Sequence, residues 1–270
     1  MHSDPFGFLG DELSRKEEVT MDRLRHFEPA GGYSLAFSGG KDSVVLLDIA
    51  KRSGVQFEAR YAVTTIDPPE LVHFIRRYHP GVKWDHPDVP FLRYMVRVKK
   101  FPPMRNKRWC CAKYKERWGA GTVLTGVRWA ESARRRNTRQ MLEHCMAGGT
   151  AKHNRKMLMH PIIDWSDEEV WGYIAKYSLP YCSLYDEGRR RIGCLFCPMA
   201  YYKRRLEDAE RWPRITRIWI KAFEELYTIR KSEGLSVVNW ASGEDAFWWW
   251  LAYEDRSAAE TVRQGIWQED

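Results

Sequence analysis

The 270-residue sequence contains no apolar run approaching the roughly 20 residues that a membrane-spanning helix needs. It also shows no signal-peptide pattern, no internal repeat and no low-complexity segment. These absences argue against membrane-spanning and fibrous classes, and we expect a cytoplasmic protein with no membrane partner. Hydrophobic residues make up 44% of the chain, which is enough to fill one large α/β domain with an appendage.

Acidic residues are the scarcer charged type. The chain has 36 Asp and Glu against 44 Lys and Arg, a formal net charge of +8. Any one basic cluster, considered alone, is most simply interpreted as a solvent-exposed surface of the protein. Because several clusters flank the motifs described below, we expect them to recognise phosphate. The clusters are Arg97–Arg108, Arg134–Arg139, Lys152–Lys156 and Arg189–Arg191.

A Walker A loop is also missing, but another glycine loop follows the apolar run Tyr33–Phe37. Its backbone N–H groups precede the helical pattern Val44–Ala50, which places them where a phosphate can dock. Lys41 adds a point charge, and Asp42 is placed to cap the helix or to help hold Mg²⁺. The loop therefore predicts a nucleotide site rather than a structural turn. It reads Ser38-Gly39-Gly40-Lys41-Asp42-Ser43.

The cysteine pattern predicts a metal centre. Cys110 and Cys111 are adjacent, whereas Cys194 and Cys197 form a C-x-x-C motif. Zinc in a four-cysteine site usually takes two C-x₂₋₄-C knuckles, and adjacent cysteines reach a single ion awkwardly. They suit an iron–sulfur cluster, in which each thiolate binds a different iron. Zinc and disulfides remain alternatives, the second disfavoured by the cytoplasmic expectation.

Strand patterns alternate with helical patterns, which predicts a parallel sheet with right-handed crossovers. Ligands of such sheets bind at the carboxyl ends of the strands, where the glycine loop lies. The segment 67–70 is typical of a helix start, and Ser166 with Glu169 predicts a capping box. The strands are expected at Tyr33–Phe37, Phe57–Val63, Thr122–Val127 and Leu158–Ile163.

Three regions are expected along the chain: an N-terminal helical segment over 1–30, a nucleotide-binding α/β domain with the cysteines over 31–200, and a C-terminal helical subdomain over 201–270. The tryptophan-rich helix at 243–253 is interpreted as subdomain core or as an oligomer contact, which makes a homodimer an open expectation. The polar stretch 137–156 is interpreted either as a mobile flap or as an inert surface loop.

These motifs together resemble the phosphoadenosine phosphosulfate (PAPS) reductase-like family of the N-type ATP pyrophosphatases, which belong to the adenine nucleotide alpha-hydrolase superfamily. The resemblance covers residues from about 33 to 198. It implies a twisted parallel sheet flanked by helices, with a C-terminal helical extension. It also implies a [4Fe–4S] cluster on the four paired cysteines, near the nucleotide's reactive end. Further matching segments are Thr125–Arg128, Glu131–Arg134 and His160–Trp171.

With ATP and Mg²⁺ at the loop, Lys41 and the loop amides would stabilise the leaving pyrophosphate. Arg128 and Arg134 would reach the phosphates or an incoming anion; the alternative is that they pair with acidic residues such as Glu131. Asp67 would bind ribose or metal, unless it only caps a helix. The other expected nucleotide contacts are Ser38, Gly39, Gly40, Ser43 and Gly126.

PAPS reductases and adenosine phosphosulfate (APS) reductases attack sulfur with a cysteine in a C-terminal Glu-Cys-Gly-Leu-His segment, and no cysteine follows Cys197 here. Together with the intact loop, this favours ATP-dependent adenylation of an acceptor for sulfur transfer, in the manner of the DNA phosphorothioation ATPase and cluster-dependent tRNA thiolases. The expected partners are a sulfur donor, such as a cysteine desulfurase, and a nucleic-acid acceptor.

Two alternatives stay open. The first is a PAPS or APS reductase that forms sulfite, either with Cys145 or Cys182 as the nucleophile or by another route. The second is a non-catalytic, nucleotide-sensing subunit in which the iron–sulfur cluster is only structural.

Overall fold

A computed structural model describes residues 5–117, 119–145, 156–237, 240–252 and 256–266. The chain divides into two compact units. The first unit comprises Met1–Val63, Pro69–His86 and Glu116–Ile192, and the second comprises Thr64–Pro68, Pro87–Lys115 and Gly193–Asp270. The cysteine motifs thus group with the C-terminal helices in the second unit, and the domain bounds 1–30, 31–200 and 201–270 stay a prediction.

The described strands form one six-stranded sheet in the order β3-β2-β1-β4-β6-β5. All neighbouring strands pair in parallel except β5, which is antiparallel to β6. This mostly parallel α/β sheet confirms the predicted fold class. The strands are β1 (Tyr33–Ala36), β2 (Phe57–Ala62), β3 (Lys83–Asp85), β4 (Thr122–Leu124), β5 (Leu142–His144) and β6 (Met157–Met159).

The described helices flank this sheet in the first unit and pack on one another in the second. None of them is both long and apolar enough to cross a membrane. In chain order they are α1 (Pro5–His26), α2 (Lys41–Ser53), α3 (Pro69–Tyr78), α4 (Phe91–Tyr94), α5 (Trp109–Tyr114), α6 (Ala133–Thr138), α7 (Asp167–Lys176), α8 (Tyr202–Arg211), α9 (Pro213–Ser232), α10 (Gly243–Ala252) and α11 (Arg256–Ile266).

Two edge strands, β3 and β5, were not predicted from the sequence. β3 carries two charged residues among three, and β5 is a three-residue strand within the stretch interpreted as a flap or surface loop. Such short, charged edge strands lack the apolar alternation that marks half-buried strands. Leu142–His144 is therefore part of the sheet edge, while Gly148 and Gly149 of the expected flap lie outside the described residues.

Helices α1 and α7 brace the first unit. On α1, which lies within the expected N-terminal helical segment, Leu13, Thr20 and Leu24 are buried. Helix α7 begins with the predicted capping box, in which the Ser166 hydroxyl accepts the Glu169 N–H at 3.1 Å. Because this cap fixes where α7 starts, it also fixes the position of the first helical residue, Asp167.

The second unit contains an aromatic core. Trp219 of α9 and Trp250 of α10 are each 1% exposed and stack with their ring centroids 5.3 Å apart. The two helices cross closely at Gly243, where a Cβ would lie 2.2 Å from the Glu224 Cα. The tryptophan-rich helix is therefore core, which is one of the two roles predicted for it.

Candidate functional site

The glycine loop lies at the topological switch point of the sheet. β1 has β2 on one side and β4 on the other, so the crossovers leave β1 and β4 in opposite directions along the sheet. Open α/β sheets bind ligands in the crevice outside the carboxyl ends of such strands. The loop follows β1 directly and ends in the first turn of α2.

Gly39 sets the shape of this loop. Its φ is +73°, and a Cβ there would lie 2.6 Å from Leu71 Cδ1 of α3. An L side chain would be strained by the backbone and would also collide with α3. Position 39 therefore requires glycine, both for its backbone conformation and for the little space that α3 leaves there.

The two serines of the loop hold its backbone. The Ser43 hydroxyl donates to the Gly40 carbonyl at 2.8 Å and accepts the Ser38 N–H at 3.2 Å. The Ser38 hydroxyl in turn accepts the Gly40 N–H at 3.3 Å. These bonds pre-organise the turn, which lowers the entropy cost of binding an anion there.

Tyr185 is a loop contact that the sequence analysis missed. Its hydroxyl accepts the Lys41 N–H at 2.9 Å, so it occupies a donor at the start of α2. Burial raises the pKa of this phenol, which therefore stays protonated at neutral pH. Tyr185 comes more than a hundred residues after the loop, and no local pattern marks it.

Four charged side chains meet at the start of α2, and we call them the charge quartet: Lys41, Asp42, Arg128 and Asp167. Lys41 Nζ lies 3.2 Å from Asp42 Oδ1 and 3.0 Å from Asp167 Oδ1. Arg128 Nε lies 2.6 Å from Asp42 Oδ1, and its Nη2 lies 2.5 Å from Asp167 Oδ1. Each cation therefore contacts both carboxylates, and the quartet is neutral.

The members of the quartet differ in exposure. The Lys41 and Arg128 side chains are 6% and 1% exposed, whereas Asp167 is 59% exposed. Partial burial opposes ionisation of Asp167, but hydrogen bonds from Lys41 and Arg128 outweigh it and hold the pKa of Asp167 below its usual range. Asp167 is thus an ionised carboxylate open to solvent, and the sequence analysis had not included it in the site.

Gly126 brings β4 against α2. A Cβ on Gly126 would lie 3.0 Å from the Asp42 carbonyl carbon and 3.1 Å from the Asp42 Cβ. Neither atom can move without shifting the first turn of α2. Gly126 therefore permits the approach that brings Arg128 to Asp42, while its own contact with a nucleotide remains a prediction.

Arg134 and its neighbour Arg135 occupy different environments on α6. Arg134 is exposed, and the structure does not bring it to the quartet. Arg135 is half-buried and pairs with Glu131, which also pairs with Arg191 at 2.9 Å. Burial, with repulsion from Arg191, lowers the pKa of Arg135 to about 10. Arg135 therefore lies in a charged group with Glu131 and Arg191, and the Asp42 charge also acts on it.

The second unit gathers the four predicted metal ligands at one cavity. Cys110 and Cys111 lie on α5, and Cys194 and Cys197 lie in the loop before α8. All four line a cavity of about 50 Å³, together with apolar residues that include Trp219. All six cysteines of the chain are free thiols. Two segments about eighty residues apart in sequence thus meet as the motif predicted.

Polar groups surround these thiols. Cys194 Sγ donates to Thr64 Oγ1 over 3.7 Å, and Lys115 lines the same cavity. Burial raises the pKa of the Cys194 thiol to about 11, and the Lys115 charge opposes that rise. The Cys194 thiolate charge is in turn the main cause that raises the pKa of Lys115. Lys115 is therefore placed to favour the thiolate form that metal ligation requires.

The donor set fits an iron–sulfur cluster. Four thiols around one apolar cavity supply the ligands that such clusters take. Within the described residues, no three His, Cys, Asp or Glu side chains converge on one ion position. The four thiols thus line one cavity, and the choice between an iron–sulfur cluster and zinc stays a prediction.

The remaining candidates lie outside the charge quartet. Of these, Asp67 lies near the cysteine cavity, where its charge acts on both Cys194 and Lys115. Asp67 lies in the second unit, where its carboxylate accepts the Thr64 N–H at 3.2 Å. Its predicted contact with ribose or metal stays a prediction. Cys182 is fully buried, and burial raises its pKa, whereas Cys145 is half-buried beside β5.

A mostly parallel sheet with a pre-organised glycine loop at its switch point defines a nucleotide-binding α/β protein. The sequence profile of the phosphoadenosine phosphosulfate reductase domain matches residues 32–200, which is more than half of the chain. The chain therefore belongs to the phosphoadenosine phosphosulfate reductase family, and the resemblance inferred from the sequence is confirmed.

Two relatives and one solved structure illustrate the range of similarity. An adenosine 5'-phosphosulfate reductase of Pseudomonas aeruginosa is 32% identical over 223 residues, covering 78% of this chain and 83% of that protein. An uncharacterized protein of Methanocaldococcus jannaschii is 27% identical over 68% of this chain, which spans only 46% of that relative. The phosphate complex of a PAPS reductase from Candida auris is 16% identical, with a TM-score of 0.49 over 72% of this chain and 97% of that chain.

Proposed function

We propose that the protein is an iron–sulfur ATP pyrophosphatase that adenylates an oxygen of an acceptor for sulfur transfer. The observation that carries this proposal is the charge quartet at the start of α2, directly behind the pre-organised glycine loop. It combines two buried cations with two carboxylates, one of them open to solvent. Cations suit the phosphates of a nucleotide, and carboxylates suit the Mg²⁺ that accompanies it.

On binding, Mg·ATP would replace the contacts that the members of the quartet make with one another. Asp42 and Asp167 would turn from Lys41 and Arg128 to Mg²⁺, and the two released cations would turn to phosphate oxygens. Each carboxylate and each cation of the quartet would keep a partner in this exchange. Mg·ATP brings a net charge of about −2 that the quartet does not neutralise, so the loop amides would supply further contacts to the phosphates.

The chemical step is displacement at the α-phosphorus. An acceptor oxygen forms a bond to this phosphorus while the bond to the bridging α,β-oxygen breaks, and pyrophosphate leaves with that oxygen. Lys41, Arg128 and the loop amides stabilise the negative charge that develops on the leaving group. Hydrosulfide from a sulfur donor then attacks the carbon that bears the adenylated oxygen. A carbon–sulfur bond forms, and AMP leaves with the oxygen.

The cysteine cavity would serve the sulfur half of this reaction. Cys110, Cys111, Cys194 and Cys197 would hold a [4Fe–4S] cluster, with Lys115 beside it. When bound, such a cluster supplies a site for sulfur coordination or for one-electron exchange. The role of this chain's residues is to keep the thiols together in an apolar cavity that limits access of water.

The alternative function is reduction of APS or PAPS to sulfite. It is favoured by the similarity to APS reductases, one of which is matched over 83% of its length. That reaction needs an accessible thiol nucleophile. Cys182 is 0% exposed, which leaves Cys145 as the nucleophile outside the cysteine cavity. A Cys145→Ser variant that kept its iron and lost sulfite formation would support the reductase.

The direct test is to incubate anaerobically prepared protein with Mg·ATP and to quantify AMP and pyrophosphate, with water as the acceptor when no other is supplied. We expect slow release of both products in equal amounts. Lys41→Met should abolish the release, while Lys51→Met, which removes an exposed lysine from the same helix, should not. Sulfite formation from APS and a thiol reductant, without AMP from ATP, would overturn the proposal.

A further inference from the structure

The segment 89–115 of the second unit contains no acidic residue. Within these residues nine are basic, and the last of them follow the tandem cysteines directly. A solvated protein face usually mixes the two signs of charge. An acid-free run of this length therefore needs a further explanation. The basic residues are Arg93, Arg97, Lys99, Lys100, Arg105, Lys107, Arg108, Lys113 and Lys115.

Acidic partners elsewhere neutralise only part of this segment. Arg97 pairs with Glu225, Lys100 pairs with Glu233, and Lys113 lies 3.9 Å from Asp88. Lys115 is exposed and lies within reach of the Cys194 and Asp67 charges. Four further exposed cations have no acidic partner among the residues that the structure describes. They are Arg93, Arg105, Lys107 and Arg108.

Two of these four cations, Arg105 and Lys107, lie in a single tight turn, and a third follows it directly. The Met104 N–H donates to the Lys107 carbonyl at 3.3 Å, and the Lys107 N–H donates back to the Met104 carbonyl at 3.1 Å. This reciprocal pair puts Arg105 and Asn106 at the tip, with Arg108 immediately after. The residues 105–108 are all exposed. The backbone of the turn is thus fixed while its charged side chains face solvent.

The turn is anchored at the cysteine cavity. Pro103 before it and Cys110 after it both line the cavity, so the turn starts and ends at the cavity wall. The Pro103 carbonyl also accepts the Trp250 indole N–H at 2.8 Å, which ties it to the aromatic core. The unpaired positive charge is therefore held beside the thiols.

An aromatic ring lies among these cations. Lys99 Nζ and Lys113 Nζ lie 5.8 Å and 5.1 Å from the ring centroid of Tyr94. The Tyr94 ring packs 5.6 Å from that of Trp109, the residue before the tandem cysteines. Cations interleaved with a half-buried aromatic ring are typical of surfaces that track a phosphate backbone and stack a base.

We infer that this cationic rim, residues 93–113, binds the phosphodiester backbone of a single-stranded nucleic acid and presents it to the cysteine cavity. The inference rests on the proposed function and deepens it, because it makes a nucleic acid the sulfur acceptor. Arg105, Lys107 and Arg108 contact successive phosphates, and Tyr94 offers a face to an unstacked base. An acidic protein partner would need the cations of the rim but not the Tyr94 ring, so the presence of the ring favours a nucleic acid as the partner.

The test is fluorescence anisotropy with a labelled 20-nucleotide single strand of mixed sequence, as RNA and as DNA, titrated with iron-loaded protein over a range of KCl concentrations. We expect Arg105→Ala/Lys107→Ala to weaken binding at least tenfold. It should also flatten the slope of log affinity against log salt by about 1.4, since each phosphate contact contributes about 0.7 for single strands. The matched control is Arg76→Ala/Arg77→Ala, which removes the same charge from exposed positions on α3.

Three results would overturn the inference: no binding of either strand by wild type at 50 mM KCl, equal weakening by the two double variants, or tighter binding of a poly-glutamate peptide than of either strand. The Tyr94→Leu variant is an independent test of the aromatic contact. It keeps every charge, so it should weaken binding without changing the slope of log affinity against log salt. Release of AMP from ATP by the wild type without nucleic acid is measured separately, so failure of the docking surface and failure of ATP cleavage are distinguishable.

Discussion

Arg128 Nε lies 2.6 Å from Asp42 Oδ1. This contact joins the loop after β4, which carries Arg128, to the first turn of α2, the helix that follows the neighbouring strand β1. Arg128 is 1% exposed, and its Nη1 also donates to the Trp165 carbonyl at 3.0 Å. A buried arginine must have such partners, since leaving its charge unpaired costs several kcal/mol. The pair therefore fixes the loop after β4 to the first turn of α2.

Lys41→Met tests the phosphate contact. The charge that binds phosphate is lost while the apolar stem is kept, and Arg128 still pairs with both carboxylates. We expect Mg·ATP affinity to fall by about 10- to 100-fold, the range for a hydrogen bond to a charged group, with little change in unfolding temperature. Calorimetric titration measures the affinity, and Lys51→Met is the control on the same helix. Equal affinity of Lys41→Met and wild type would remove the loop from the mechanism.

Arg135→Ala and Arg134→Ala form a matched pair of neighbours. Arg135 is half-buried in the basic group with Arg191, whereas Arg134 is exposed. We expect Arg135→Ala to weaken pyrophosphate and ATP binding several-fold and Arg134→Ala to change it less than twofold. Competition titrations with pyrophosphate provide the measurement. The reverse order of effects would restore the assignment made from sequence.

These two arginines show what a sequence can and cannot specify. The motif places a basic residue just after Ser132, but successive residues on a helix point about 100° apart, so helix phase decides which arginine faces the site. The sequence therefore predicts the segment and names Arg134, which is the exposed member; which of the two arginines contacts a nucleotide stays a prediction. No residue pattern nearby could have made the choice.

Asp167 and Tyr185 were missed for a related reason. Each reaches the loop from a segment more than a hundred residues later, and only the packing of α7 and the turn before Tyr185 brings them there. The Ser38–Ser43 loop itself was predictable because its strand, glycines and helix are contiguous. The cysteine motif was predictable because C-x-x-C and adjacent cysteines carry ligand geometry in their spacing.

Cys194→Ala tests the cysteine cavity. One thiol of four is removed, and we expect the brown absorbance and the iron content of anaerobically prepared protein to fall to near zero. Cys182→Ala should keep both, because Cys182 is buried away from the cavity lining. Iron and sulfide analysis gives the measurement. A colourless wild type carrying one zinc per chain would contradict the iron–sulfur assignment.

His79 gives the fold a pH dependence. Burial lowers the pKa of its imidazole to about 4, and the Lys51 charge adds to this effect. The usual value in an unfolded chain is about 6.5, so the unfolded state binds more protons between these limits. His79 thus leaves stability intact above about pH 6.5 and lowers it as the pH falls toward 4. The slope stays below about 1.4 kcal/mol per pH unit, because the two states differ by less than one bound proton on this group at any pH.

His79→Leu should flatten the dependence of the urea midpoint on pH between 7.5 and 5, since Leu carries no proton and still packs against Phe37 and Phe74. The control is His73→Leu on α3, where the histidine is exposed, and it should keep the wild-type slope. Identical slopes in wild type and His79→Leu would show that another group titrates.

The central claim is that this protein uses ATP, and the most direct measurement is calorimetric titration of Mg·ATP, APS and PAPS into one anaerobic, iron-loaded preparation. The account predicts that Mg·ATP binds at least tenfold more tightly than either sulfonucleotide and that Lys41→Met removes this preference. Tighter binding of APS or PAPS than of Mg·ATP would contradict it and would identify Cys145 as the thiol to test next.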